Sequence, residues 1–137
     1  MKIKIIGSII CILLLTIPVL STASTEPKGA VLELEIFGGL RTGAKIRNVG
    51  DTDALFVYYN VSINGGFLKP VNYTITGGVG SLPVHNGAID LVITIPSTYT
   101  QAFGKVTITA TTDSLLTSPI TKQTDALMLF FFVILMQ

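Results

Sequence analysis

Between Ala30 and Thr112 the apolar side chains fall on alternate positions. A repeat of two is the strand period, in which successive side chains point to opposite faces, and it lays no continuous stripe along a helix. Leu32, Leu34 and Ile36 alternate with Glu33, Glu35 and Phe37, and Leu40, Ala44 and Ile46 mark a second segment with Lys45 and Arg47 turned outward. Leu55, Val57, Tyr59, Val61 and Ile63 make a longer run. Val71, Tyr73 and Ile75 follow, then Ile89, Leu91, Ile93 and Ile95, then Val106, Ile108 and Ala110. A last segment covers Ile120 to Met136, which brings the expected strands to seven.

The breaks between these runs carry turn chemistry. Gly38-Gly39, Asn48 to Asp53, Asn64-Gly65-Gly66, Gly77 to Gly80, Asn86-Gly87 and Gly104 separate them. Gly-Gly and Asn-Gly pairs supply the positive φ angles of tight hairpins. Thr-rich alternating runs with frequent turns favour an all-β fold, an antiparallel β-sandwich, with a small closed barrel as the second architecture. The stretches Gly77 to Asn86 and Pro96 to Ala102 read as loops.

The first residues are of another kind. Lys2 and Lys4 precede an apolar stretch from Ile5 to Ile17; Pro18 follows, then the small residues Ser21 and Ala23. This is the three-part order of an export signal, and Ser21 and Ala23 fit the −3 and −1 positions of a cleavage site. The expected organisation is a signal peptide over 1–23, a short linker over 24–29 and one domain over 30–137. The alternative for 1–23 is an uncleaved N-terminal anchor, although Ile5 to Leu20 falls short of the roughly 20 residues that span a bilayer and Pro18 interrupts it. Cys11 follows Ile10, where lipid attachment needs a small residue. Either route places the domain outside the cytoplasm, secreted or at the cell surface.

Composition then excludes much chemistry. The formal charge is +1, from 9 basic and 8 acidic residues, so there is no bulk attraction to nucleic acid or to anionic lipid. Charged residues make up 12% and hydrophobic ones 49%, the reverse of a disordered chain. Cys11 is the one cysteine, so the domain has no disulfide, thiolate metal site or Cys nucleophile.

The segment Asn48-Val49-Gly50-Asp51-Thr52-Asp53-Ala54, set between two alternating runs, resembles the strand-turn-strand signature of CARDB-like, immunoglobulin-type modules of archaeal and bacterial surface proteins. Ser62-Ile63-Asn64-Gly65-Gly66, Gly80-Ser81-Leu82-Pro83 and Phe103-Gly104-Lys105-Val106-Thr107-Ile108-Thr109 resemble later parts of such modules, as does the closing apolar segment. The likeness covers Ala30 to Met136. It implies a seven-stranded immunoglobulin-like sandwich, extracellular placement and an adhesion or spacer role, with no catalytic residues to carry over. Such modules often stand in tandem, whereas this chain holds a single copy.

Candidate chemical groups are few. His85, the lone imidazole, reads as a loop residue before a hairpin turn, since no strained nucleophile turn accompanies it. Asp51 and Asp53 offer carboxylates to a calcium ion, but the loop lacks the six to eight oxygens and the EF-hand spacing, and turn formation explains them. Glu33 and Glu35 share one strand face, whereas glycoside hydrolysis needs carboxylates on opposite sides of the substrate. Asn60-Val61-Ser62 and Asn72-Tyr73-Thr74 fit the N-glycosylation pattern. Tyr58, Tyr59, Tyr73 and Tyr99 could stack on a sugar, although parity puts Tyr59 in the core. No cofactor is expected.

The C-terminal segment departs from alternation. Ala126 to Met136 is apolar throughout. As one strand it would run about 36 Å with both faces apolar, which calls for a cover on the outer face. The residues expected outward are Leu127, Leu129, Phe131, Val133 and Leu135. The function expected is a non-catalytic structural or adhesion module working through protein contacts, self-association included, by way of this strand. The alternative is an extracellular glycan-binding module. Membrane contact is expected only through residues 1–23, if they are retained.

Overall fold

Alternation becomes pairing in the computed structural model, which describes residues 29–85 and 89–137. The segment 1–23 and all of the linker before Gly29 lie outside the described residues. Eight strands are found among the described residues: β1 (Leu32–Phe37), β2 (Thr42–Asn48), β3 (Ala54–Gly65), β4 (Val71–Leu82), β5 (Leu91–Ile95), β6 (Ala102–Ser114), β7 (Thr117–Phe130) and β8 (Phe132–Leu135). A single 3₁₀ turn, Ser97–Tyr99, links β5 to β6.

The strands form two sheets, one ordered β1-β2-β5 and the other β4-β3-β6-β7-β8, with every pairing antiparallel. Their apolar faces meet in one core. Leu32, Leu34, Ala44, Ile46, Ile93 and Ile95 come from the smaller sheet; Val57, Val61, Ile63, Val106, Ile108, Ala110, Ala126 and Met128 come from the larger. The chain is an all-β sandwich.

Two backbone bridges tie the sheets at opposite ends. Gly39 exchanges hydrogen bonds with Val133 at 2.7 and 3.0 Å, and the Asn48 carbonyl accepts from the His85 amide at 2.7 Å. The first bridge marks an end built from the β1–β2 loop, the β3–β4 loop, the β5–β6 link and the β7–β8 turn. The second marks an end built from the β2–β3 loop, the finish of β4 and the β6–β7 turn. The chain reaches the sandwich at this second end, where the Asp51 amide donates to the Gly29 carbonyl at 2.8 Å.

Four details correct the sequence reading. The C-terminal segment is two strands instead of one: Leu127 pairs with Ile134 and Met128 with Val133 across a turn at Phe130-Phe131. Leu55 is exposed and Ala54 takes the core position, because Phe56 adopts φ 50° and reverses the parity of β3. Leu40 and Ile89 are exposed residues outside β2 and β5. Gly77 to Gly80, read as a break, lies within β4. Gly77 faces Tyr59 and Gly78 faces Tyr58 in the register. A Cβ at Gly77 would meet the Tyr59 ring, so the missing side chains make room for the two tyrosines. Glycine here serves close packing instead of a turn.

Candidate contact surface

The turn at Phe130-Phe131 decides which apolar side chains the C-terminal segment presents. Along one uninterrupted strand the odd positions from 127 to 135 share a face. Two residues spent on the turn shift the register, so the faces of β7 and β8 are out of step by one. Ala126, Met128 and Val133 therefore enter the core, and Leu127, Leu129, Phe132 and Ile134 line the outside.

Of the five expected contact residues, Leu127 is exposed, Leu129 is half-buried on the same outer face, and Phe131 is exposed in the turn. Val133 is 2% exposed and belongs to the core, while Leu135 packs half-buried against it. Phe132 and Ile134 take their places on the outer face. Phe130 holds φ 58°, a left-handed conformation that costs a non-glycine residue about 1 kcal/mol. Its ring lies 6.1 Å from that of Phe103 in β6, which helps to offset the cost.

The apolar surface continues over the end of the sandwich. The Phe67 amide donates to the Phe103 carbonyl at 2.6 Å and folds the β3–β4 loop across the start of β6. Phe67 and Leu68 are 79% and 71% exposed on that loop, and Leu40 is 73% exposed on the β1–β2 loop at the same end of the sandwich. A recess of about 210 Å³ opens between Leu68, Phe103, Phe130 and Phe131. The signal for these residues was present in Gly66-Phe67-Leu68-Lys69-Pro70, where two large apolar residues sit in a loop that burial cannot explain.

Below this surface, Lys105 of β6 reaches diagonally to Asp125 of β7 with Nζ 2.7 Å from Oδ2, and the hydroxyl of Thr107, which stands opposite Asp125, donates to Oδ1 at 2.9 Å. The Lys105 hydrogen bond, then that of Thr107, hold the Asp125 carboxyl below its ordinary value of 3.8. A depressed folded-state value stabilises the fold above the ordinary pKa and is lost as pH falls through the folded one. Melting temperature followed from pH 6 down through that range is therefore expected to fall more steeply for the wild type than for Asp125→Asn.

The other candidates lie elsewhere. His85 Nδ1 is 3.0 Å from Asp90 Oδ1, and Asp90 Oδ2 lies 3.6 Å from Arg47 and 3.8 Å from Lys45. Glu35 reaches the same Lys45 and Arg47 at 3.7 Å. The imidazole thus joins a charge lattice on the outer face of β1-β2-β5, where Asp90 is already engaged by two cations. Glu33 is exposed on that face, at a shallow recess with Glu35, Lys45, Arg47 and Lys122.

Asp51 and Asp53 are exposed in the β2–β3 loop, and Asp53 accepts from the Val84 amide at 3.2 Å. Among the described residues no group of three His, Cys, Asp or Glu could hold a metal ion. Asn60 and Asn72 are both exposed, on β3 and β4. The tyrosines are dispersed: Tyr58 is exposed on the outside of β3, Tyr59 packs on the core, and Tyr73 stacks on Tyr99 at 4.0 Å between ring centres.

No protein-family model, no curated protein and no solved structure matches the chain.

Proposed function

We propose that this protein is a non-catalytic extracytoplasmic module, immunoglobulin-like and of CARDB-like type, that acts by protein contact through the outer flank of β7–β8. The observation that carries the reading is the strip Leu127, Leu129, Phe132 and Ile134, large apolar side chains turned away from a core that is already filled by Ala126, Met128 and Val133. Covering such residues recovers roughly 1.5–3 kcal/mol each when burial is complete. A second copy of the chain is the simplest cover.

The immunoglobulin-like part of the reading draws on strand order. β2 pairs with β5 and β3 with β6, so consecutive hairpins are split between the sheets, as in sandwiches of that class. β8 is an addition at the edge of the larger sheet. Extracytoplasmic placement draws on the order of residues in 1–23.

The test is mass in solution. Sedimentation equilibrium of the wild type is expected to show a concentration-dependent oligomer, and Leu127→Lys/Ile134→Lys is expected to weaken association at least about tenfold while leaving the circular dichroism unchanged. A folded wild-type monomer at every concentration would remove the self-association reading. The glycan alternative has one observation behind it: Tyr99, stacked on Tyr73, borders a recess of about 220 Å³ with Asn72, Thr98 and Gln101.

A further inference from the structure

We propose that the end of the sandwich formed by the β1–β2, β3–β4 and β7–β8 connections docks on an anionic lipid surface, with Leu40, Phe67, Leu68 and Phe131 entering the bilayer interface. The inference goes beyond the protein contact proposed above, which uses the flank of the hairpin, and it stands or falls separately.

The first observation is placement. These side chains stand on three different connections that the backbone holds together at one end. The Gly39–Val133 bridge ties the loop of Leu40 to β8, and the Phe67–Phe103 hydrogen bond ties the loop of Phe67 and Leu68 to β6. The Phe103–Phe130 ring contact sets the β7–β8 turn beside them. Apolar side chains raised on loop tips suit a soft interface that closes around each of them. The recess of about 210 Å³ among them is lined mainly by carbon and open to the outside, a place for part of an acyl chain.

The second observation is charge. Residues 38–41, 66–70, 96–101 and 131 contain Arg41 and Lys69 and no Asp or Glu. Both cations are exposed. The β2–β3 loop at the opposite end carries Asp51 and Asp53 instead. Among the described residues the tips of the first end thus carry cations alone, and an anionic surface attracts that end. Apolar residues with cations beside them are the composition that interfacial lipid binding uses. Gly29, where the described chain begins, lies at the opposite end beside Asp51.

The chain has no Trp, so a single Trp reports one position. The experiment uses the full-length chain bearing Phe131→Trp or, as the opposite-end reporter, Leu116→Trp. The lipid is phosphatidylcholine vesicles with or without phosphatidylglycerol, their acyl chains brominated. Phosphatidylglycerol vesicles are expected to shift Phe131→Trp emission to the blue and quench it, leaving Leu116→Trp unquenched. Arg41→Gln and Lys69→Gln, added to the Phe131→Trp chain, are each expected to weaken the response about fivefold. Phe67→Ser/Leu68→Ser is expected to weaken it at least about tenfold.

A silent Phe131→Trp would overturn the proposal. Equal quenching with pure phosphatidylcholine, insensitive to the Arg41 and Lys69 variants, would overturn the anionic specificity. Quenching confined to Leu116→Trp would place the bilayer at the acidic end and contradict it. A blue shift that appears without lipid and grows with protein concentration would show that another copy covers the tips, and would also overturn it.

Discussion

Asn48→Ala is expected to destabilise the domain by about 4 kcal/mol, and to lower its melting temperature by roughly 15–20 °C. Asn48 is the last residue of β2 and is 0% exposed. Its Oδ1 accepts from the Val31 amide at 3.2 Å and the Gly50 amide at 3.1 Å. Its Nδ2 donates to the carbonyls of Thr52 at 2.8 Å and Leu82 at 3.1 Å. One side chain therefore satisfies four backbone groups drawn from the approach to β1, the β2–β3 loop and the end of β4.

Alanine leaves all four without that partner. A buried donor or acceptor stripped of its partner costs about 1–3 kcal/mol. The groups at the rim can recover water, which sets the expected total near the lower end of that sum. Gly50 adds to the same lock, since a Cβ there would run into the backbone of Gly29 and Val31. Asp53→Ala is the comparison: it loses one exposed hydrogen bond to Val84 and is expected to cost less than about 1 kcal/mol. Thermal unfolding of the two variants checks the ranking, and equal losses would deny Asn48 its special place.

The segment Asn48 to Ala54 shows what local sequence can reveal. A strand ending in Asn, followed by Gly and two Asp residues, declares a turn, and the turn is there. That the Asn side chain also fastens the approach to β1 and the end of β4, both distant in the chain, follows only from their meeting in space. The alternation of β3 and β6 was equally readable, because each residue's face depends on its neighbours alone. Exceptions have local causes that composition hides: Phe56 reverses parity through its backbone angle, and Gly77 and Gly78 stay in β4 because tyrosines from β3 fill their space.

The contact surface was less legible for the same reason. A hairpin turn normally announces itself through Gly, Asn or Asp, whose backbones tolerate positive φ. This one is made by Phe130 and Phe131, so no punctuation marks it. Leu115 and Leu116 occupy the β6–β7 turn with the same silence. Sheet membership rests on pairings between residues far apart in the chain. The apolar end likewise assembles Leu40, Phe67 and Phe131 from three loops, and no window of sequence contains them together.

The last apolar segment folds back on itself and so divides its side chains between core and outside, and the pair Val133→Lys and Ile134→Lys distinguishes this hairpin from one straight strand. Val133 is 2% exposed against Met128, and Ile134 is 44% exposed opposite Leu127. Lysine at 133 must bury an ammonium among apolar groups or pull β8 away, a cost of several kcal/mol. Below the concentration at which the chain associates, lysine at 134 stays in water and is expected to change stability by less than about 1 kcal/mol. A single uninterrupted strand would reverse the two, because Ile134 would share the inward parity of Ala126 and Met128. Thermal unfolding of the pair therefore decides: a large loss for Val133→Lys with Ile134→Lys near wild type is the predicted result, and the opposite order would contradict the hairpin and the contact surface built on it.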